Sequence, residues 1–155
     1  MQKMAALAIG ATLTLGAGMV AANVATADSD HHSRTIHVVD RDDQVAVHDI
    51  NGNGGLDFAD IVVFRSIVSD PHGRQVGHAI GQIDIQGPHD NMLTYTLVLG
   101  GGEITMQGDI RGIDPGARSL LAVTGGTGRF TNAQGVTLAK QIAEGATDLV
   151  IHLSH

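Results

Sequence analysis

The stretch Leu121-Ala-Val-Thr-Gly-Gly-Thr-Gly-Arg-Phe130, with Ala133-Gln-Gly135 close behind it, decides the fold. A β-rich run enters a glycine cluster and a second β-rich run leaves it. Gly-Gly-x-Gly between two such runs marks backbone angles or close approaches that a Cβ would forbid. Gly125, Gly126 and Gly128 are therefore read as structural glycines at a strand corner. A phosphate-binding reading fails, because no Lys-Ser/Thr follows and no strand-to-helix context surrounds the cluster.

Working outward, nearly every segment from Arg34 onward has strand character. Thr35–Ile50, Ile61–Ser69, Gln75–Gln86, Met92–Leu99, Glu103–Arg111, Arg118–Thr124, Phe130–Ile142 and Thr147–Leu153 are rich in β-branched residues and alternate with period two. Asp70-Pro-His-Gly73, Pro88-His-Asp-Asn91, Gly100-Gly-Gly102, Asp114-Pro-Gly116 and Glu144-Gly-Ala146 supply the reversals between them. Eight strands joined by short reversals form an antiparallel meander. Closing the meander on itself removes the edges that would otherwise aggregate. The expected fold is an all-β, eight-stranded, antiparallel up-and-down barrel. At that strand number the interior is filled by side chains or holds one small ligand.

The 155-residue chain suits one domain spanning 34–155. Lys3, the apolar stretch Met4 to Val24 and the small-x-small Ala25-Thr-Ala27 have the layout of a cleaved signal peptide, 1–27, followed by a polar lead, 28–33. Secretion is the expected destination, with no membrane association after cleavage. Removal of 1–27 takes Lys3 with it and leaves eight basic against sixteen acidic residues, a net charge of −8. Such a surface repels phosphate backbones and anionic lipid headgroups, which argues against nucleic acid as a partner. With no cysteine, the exported domain has to hold together on its apolar core.

Several segments in order carry a family resemblance. Asp60-Ile-Val-Val-Phe64, then Val76-Gly77, Gly102-Glu-Ile-Thr-Met-Gln-Gly108, Leu121 to Phe130 and Gly135 resemble the barrel of the allene oxide cyclases. His48-Asp-Ile50, together with Thr124 to Phe130, resembles the plant dirigent proteins of the same superfamily. Two departures stand out: Ala59 replaces the usual glycine before the aspartate, and the pocket cysteine of the plant cyclases is absent.

The dirigent resemblance implies that Asp49 is the functional acid of a pocket. The cyclase resemblance implies an acid on the first strand. Asp40 lies roughly there, within a stretch, Val38 to Asp43, that aligns in more than one way. Phe64, Tyr95, Glu103 and Gln107 are strand residues that a ligand pocket could use. Strand parity allows only one of Phe64 and Arg65 to face the lumen. Family members often form homodimers or homotrimers through the outer wall, and that expectation comes with the resemblance.

Two metal readings compete with these. Asp49-x-Asn51-x-Asn53-Gly54-x-x-Asp57-x-x-Asp60 matches much of a calcium loop. Its last position is Asp rather than Glu, its flanks are strand-like, and an Asn/Gly-rich turn explains it equally well. The nine histidines match no zinc spacing. No metal and no cofactor is expected. The sequence thus points to a secreted barrel that binds a hydrophobic small molecule. The barrel would direct cyclisation, isomerisation or stereoselective coupling of a reactive intermediate, as a cyclase or dirigent-like protein without redox activity. A non-catalytic, lipocalin-like carrier of an apolar ligand is the alternative.

Overall fold

A computed structural model describes residues 33–112 and 114–154; the expected signal peptide and nearly all of the polar lead lie outside the described residues. Eight strands run in chain order: β1 Arg34–His48, β2 Ile61–Ser69, β3 Gln75–Ile85, β4 Asn91–Leu99, β5 Gly102–Ile110, β6 Arg118–Gly126, β7 Gln134–Ala143 and β8 Ala146–Ser154. Each pairs antiparallel with the next and β8 returns to β1, closing the barrel. The described residues contain no α-helix, only a 3₁₀ turn over Gly128–Phe130.

Most strand bounds shift by one or two residues from the sequence expectation, and one, the start of the seventh strand, shifts by four. Phe130 does not open a strand. The Phe130 N–H donates to the Thr127 carbonyl at 3.0 Å and the Ala133 N–H to the Phe130 carbonyl at 2.9 Å, so the chain turns tightly before β7 begins at Gln134. The turn swings the Phe130 ring, wholly buried, into one end of the barrel. Two guanidiniums lie over that ring, Arg129 at 4.8 Å and Arg34 at 5.4 Å from its centroid.

The three structural glycines have unequal roles. Gly128 has φ +59°, and a Cβ there would strike the Gly101 carbonyl. At Gly126 a Cβ would fall 2.7 Å from the Glu103 carbonyl oxygen. At Gly125 the nearest atom is the Thr105 Oγ1, at an ordinary 3.4 Å.

Strand parity divides the barrel into a plugged half and an open half. Val68, Leu97, Ile104, Ile151 and Leu153 fill the lumen below Phe130 and are fully or almost fully buried. Toward the other end the inward positions include Val62, Ile83, Leu93 and Ile110, with space between them. Gly128→Ala is expected to lower stability by roughly 1–3 kcal/mol, because it adds both a left-handed backbone penalty and an overpacked contact. Gly125→Ala should stay within about 0.5 kcal/mol of the parent. Urea unfolding of the two variants checks the contrast, and equal losses would show that the corner is not held by close approach.

Candidate functional site

The open half of the barrel encloses a cavity of about 700 Å³. Its mouth is ringed by the C-terminal end of β1, the N-terminal ends of β4 and β8, and the turns that join β3 to β4 and β5 to β6. The wall is mainly aliphatic, with Asp40 and Tyr95 at its floor and Asp114 and Glu144 at its mouth.

Asp40 is the central group. It faces inward from β1, is 5% exposed, and borders the cavity. The Tyr95 hydroxyl donates to Asp40 Oδ2 at 3.0 Å across 55 residues of sequence. Because β1 and β4 are not neighbours in the sheet, this bond spans the lumen. Two places along β1, the Ser66 hydroxyl of β2 donates to Asp42 Oδ1 at 3.1 Å. A hydroxyl has one proton to give, and Asp40 Oδ1 is left buried without a partner.

Burial pushes the Asp40 carboxyl up to about 6. The Tyr95 hydroxyl restrains the rise and the Asp42 charge adds to it. Asp42 is raised as well, again by burial. Tyr95 is held well above its ordinary value by burial, with the negative Asp40 beside it adding to the effect. The pair therefore consists of a carboxyl that exchanges its proton near neutral pH and a phenol that keeps its own.

The aromatic floor depends on a glycine. Gly81 of β3 pairs with Phe64 on one side and Tyr95 on the other. With no Cβ at Gly81, the Phe64 ring leans over the strand; a Cβ there would lie 2.7 Å from a ring carbon. The two rings meet with centroids 6.1 Å apart, tilted by 38°.

The sequence candidates fall on both sides of the wall. Phe64 and Tyr95 line the cavity. Glu103 and Gln107 do not border it: Ile104, Met106 and Ile110 are the buried residues of β5, which puts the intervening polar positions outside. Asp49 lies beyond the end of β1 on an exposed loop and does not border the cavity. Its carboxylate accepts the Gly54 N–H at 2.7 Å and the Gly52 N–H at 2.6 Å, and the Gly54 bond above all holds it below the usual carboxylate range. Such a group organises a turn and keeps no proton to donate near neutral pH.

The calcium-like loop is tied together by its own groups. Asn51 Nδ2 donates to Asp57 Oδ1 at 2.6 Å, Asn53 Nδ2 donates to Asp57 Oδ2, and the buried Asp60 accepts the Ile50 and Asp57 N–H groups, each at 2.9 Å. Among the described residues no three His, Cys, Asp or Glu side chains are grouped to hold a metal ion.

No protein-family profile and no curated protein matches the chain. Solved structures do. A pyocyanin demethylase is similar at TM-score 0.68 and 27% identity, covering 77% of this chain and 99% of its own. The exo-specific intermolecular Diels-Alderase AbnU is similar at TM-score 0.65 and 15% identity, covering 79% and 98%. The Diels-Alderase AbmU from Streptomyces koyangensis is similar at TM-score 0.64 and 15% identity, covering 83% and 71%. At that identity the two Diels-Alderases share the fold. The chain thus shares its closed-barrel fold with these enzymes, a coarser placement than the allene oxide cyclase or dirigent family.

Asp40 also has a consequence for stability. Folded, it holds a proton up to about 6; its ordinary value is 3.8, so between those values the folded chain binds more protons than the unfolded one. Its contribution to stability is therefore greatest below 3.8 and declines as pH rises through about 6. Asp40→Asn, which keeps the acceptor for Tyr95, should raise stability at pH 7.5 by up to roughly 3 kcal/mol and leave it nearly unchanged at pH 3.5. Urea midpoints at the two pH values check this, and a loss of stability at pH 7.5 would contradict it.

Proposed function

We propose that this chain is a small-molecule enzyme whose barrel binds an apolar substrate, holds it in one folded conformation and moves a proton through Asp40. One observation carries the reading: a buried carboxyl, poised near neutrality and hydrogen-bonded to Tyr95, stands at the floor of an apolar cavity that opens to solvent. Confinement selects one conformer and so lowers the entropic barrier to one ring closure or rearrangement. The carboxyl then serves as general acid or base, and the phenol orients it. Cyclisation, isomerisation or stereoselective coupling all fit this division of labour, and the Diels-Alderase likeness supports the first.

A second reading draws on the pyocyanin demethylase, which is more similar in sequence than the Diels-Alderases reported above. Removal of a methyl group from an oxidised aromatic ring compound would use the same cavity and the same acid: water adds to the methyl carbon, which leaves as formaldehyde, the ring system takes up the two electrons, and Asp40 relays the proton. Export belongs with either reading: the composition of residues 1–27 supports their removal, and the intact mass of protein recovered from the medium should then correspond to a chain starting at Asp28.

Two incubations test the catalytic proposal. One offers a linear compound with a conjugated diene and a tethered alkene, the other offers pyocyanin. A single stereoisomer of the ring-closed product supports cyclisation, and loss of the methyl group supports the second reading. Asp40→Asn should lower kcat/KM by roughly 10²-fold in whichever reaction proceeds. Tyr95→Phe should shift the pH profile of kcat/KM, since it removes a hydrogen bond that favours ionised Asp40. An unchanged rate in Asp40→Asn would remove Asp40 from the chemistry.

A further inference from the structure

The cavity wall carries charge of one sign. Asp40, Asp42, Asp114 and Glu144 border it, and no described lysine, arginine or histidine does. The basic residues of the same strands lie elsewhere. Arg118 and Lys140 flank the inward-facing Ser119, Ala139 and Gln141, yet parity turns both onto a groove of the outer wall, beside Leu120 and Leu138. Four acids therefore face a largely apolar space with no countercharge inside it.

Within that space Asp40 is 95% buried by its 5% exposure, and its Oδ1 has no hydrogen-bond partner. The Phe64 and Tyr95 rings stand beside it on the same floor. We propose that the substrate enters this site as a cation: an apolar skeleton bearing a quaternary or protonated nitrogen. The proposal rests on the cavity's being the substrate site and adds the substrate's charge class.

Three physical arguments agree. A desolvated carboxylate regains through a close cation what it lost with its water, and the low dielectric strengthens the attraction. Aromatic faces near the carboxylate favour a cation over a neutral or anionic guest. Asp114 and Glu144 stand at the mouth, and the chain's net charge of −7 deepens the same potential, which concentrates cations there. An apolar acid such as a fatty acid finds no partner for its carboxylate and meets four others. A metal ion fits less well than an organic cation, because no three of the described carboxylates converge as ligands do.

Three probes of one shape and different charge test this at pH 8: N-methylacridinium, a cation; acridine, neutral at that pH; and anthracene-9-carboxylate, an anion. Fluorescence titration of the whole domain should show the cation binding at least tenfold tighter than acridine. The anion should bind weakest. Raising the salt concentration should narrow the gap. Asp42→Asn should weaken the cation several-fold, whereas Asp109→Asn on the outer wall should not. Equal affinities, or tightest binding by the anion, would overturn the charge assignment and leave the cavity's role standing. Failure of all three probes to bind would overturn the cavity reading and the charge assignment with it.

Discussion

The barrel depends on β1 satisfying two neighbours at once. It pairs with β8 from Arg34 to Arg41 and with β2 from Val39 to His48. The two ladders overlap only over Val39, Asp40 and Arg41. A closed barrel needs such a stagger, because its strands tilt and their registers shear around the circumference. The overlap is also where β1 is held on both sides and has least freedom. Asp40 sits in the middle of it. The Asp40 carboxyl is thus placed where β1 is held from both sides, which suits the proposed role of meeting a substrate in one geometry.

The same strand explains why the site was hard to read from sequence while the fold was not. Turn chemistry marks the strands clearly: Asp70-Pro-His-Gly73 and Glu144-Gly-Ala146 leave little choice of where chains reverse, and Ile61–Ser69 appears with the bounds its residues imply. In β1 the alternation breaks. Ile36, Val38, Asp40 and Asp42 share one face, a bulge at Asp43 inserts one residue, and Val45 then resumes the inward face opposite Phe64. A bulge changes parity without changing composition. A single period therefore cannot fit the whole stretch, and the inward acid is hidden among three aspartates. Asp49 has the clearer motif, but an aspartate followed by Ile-Asn-Gly-Asn-Gly forms its own local hydrogen bonds, and motif matching does not see them. For Glu103 and Gln107 the information was present: Ile104, Met106 and Ile110 already claim the inward face. At Phe130 the residue's β propensity is overridden by the left-handed Gly128 two places before it, which starts the 3₁₀ turn, and by the burial of the ring as a plug.

The cavity exists because the lumen's residues are graded in size. At the plugged end Phe130, Leu97, Ile104 and Leu153 leave no space. Midway, Gly81 on β3 gives the Phe64 ring room to lean over the strand instead of filling the bore. Above them, aliphatic residues line the wall and leave its centre empty. In an eight-stranded barrel the interior is only just wide enough to fill, so trading one side chain for a glycine beside an aromatic decides between a solid core and a pocket. This chain has four aromatic residues, and two of them stand at the floor of the cavity while a third seals the opposite end.

Alternation along a strand also sorts charge. On β7, Ala139 and Gln141 face inward and Lys140 outward; on β6, Ser119 faces inward and Arg118 outward; on β1, Asp40 and Asp42 face inward and Arg41 outward. A one-residue slip of β6 or β7 would exchange the sets and turn Arg118 or Lys140 into the cavity that Asp40 borders. A fixed protein cation there would pair with the carboxylate before any substrate arrived, hold it permanently ionised and close the site to a cationic guest. The register that buries the apolar face therefore also keeps the carboxyl unpaired. A buried acid of this kind opposes folding at neutral pH, and the fold tolerates it because the hydrophobic demand on register is far stronger than the electrostatic objection of a single residue.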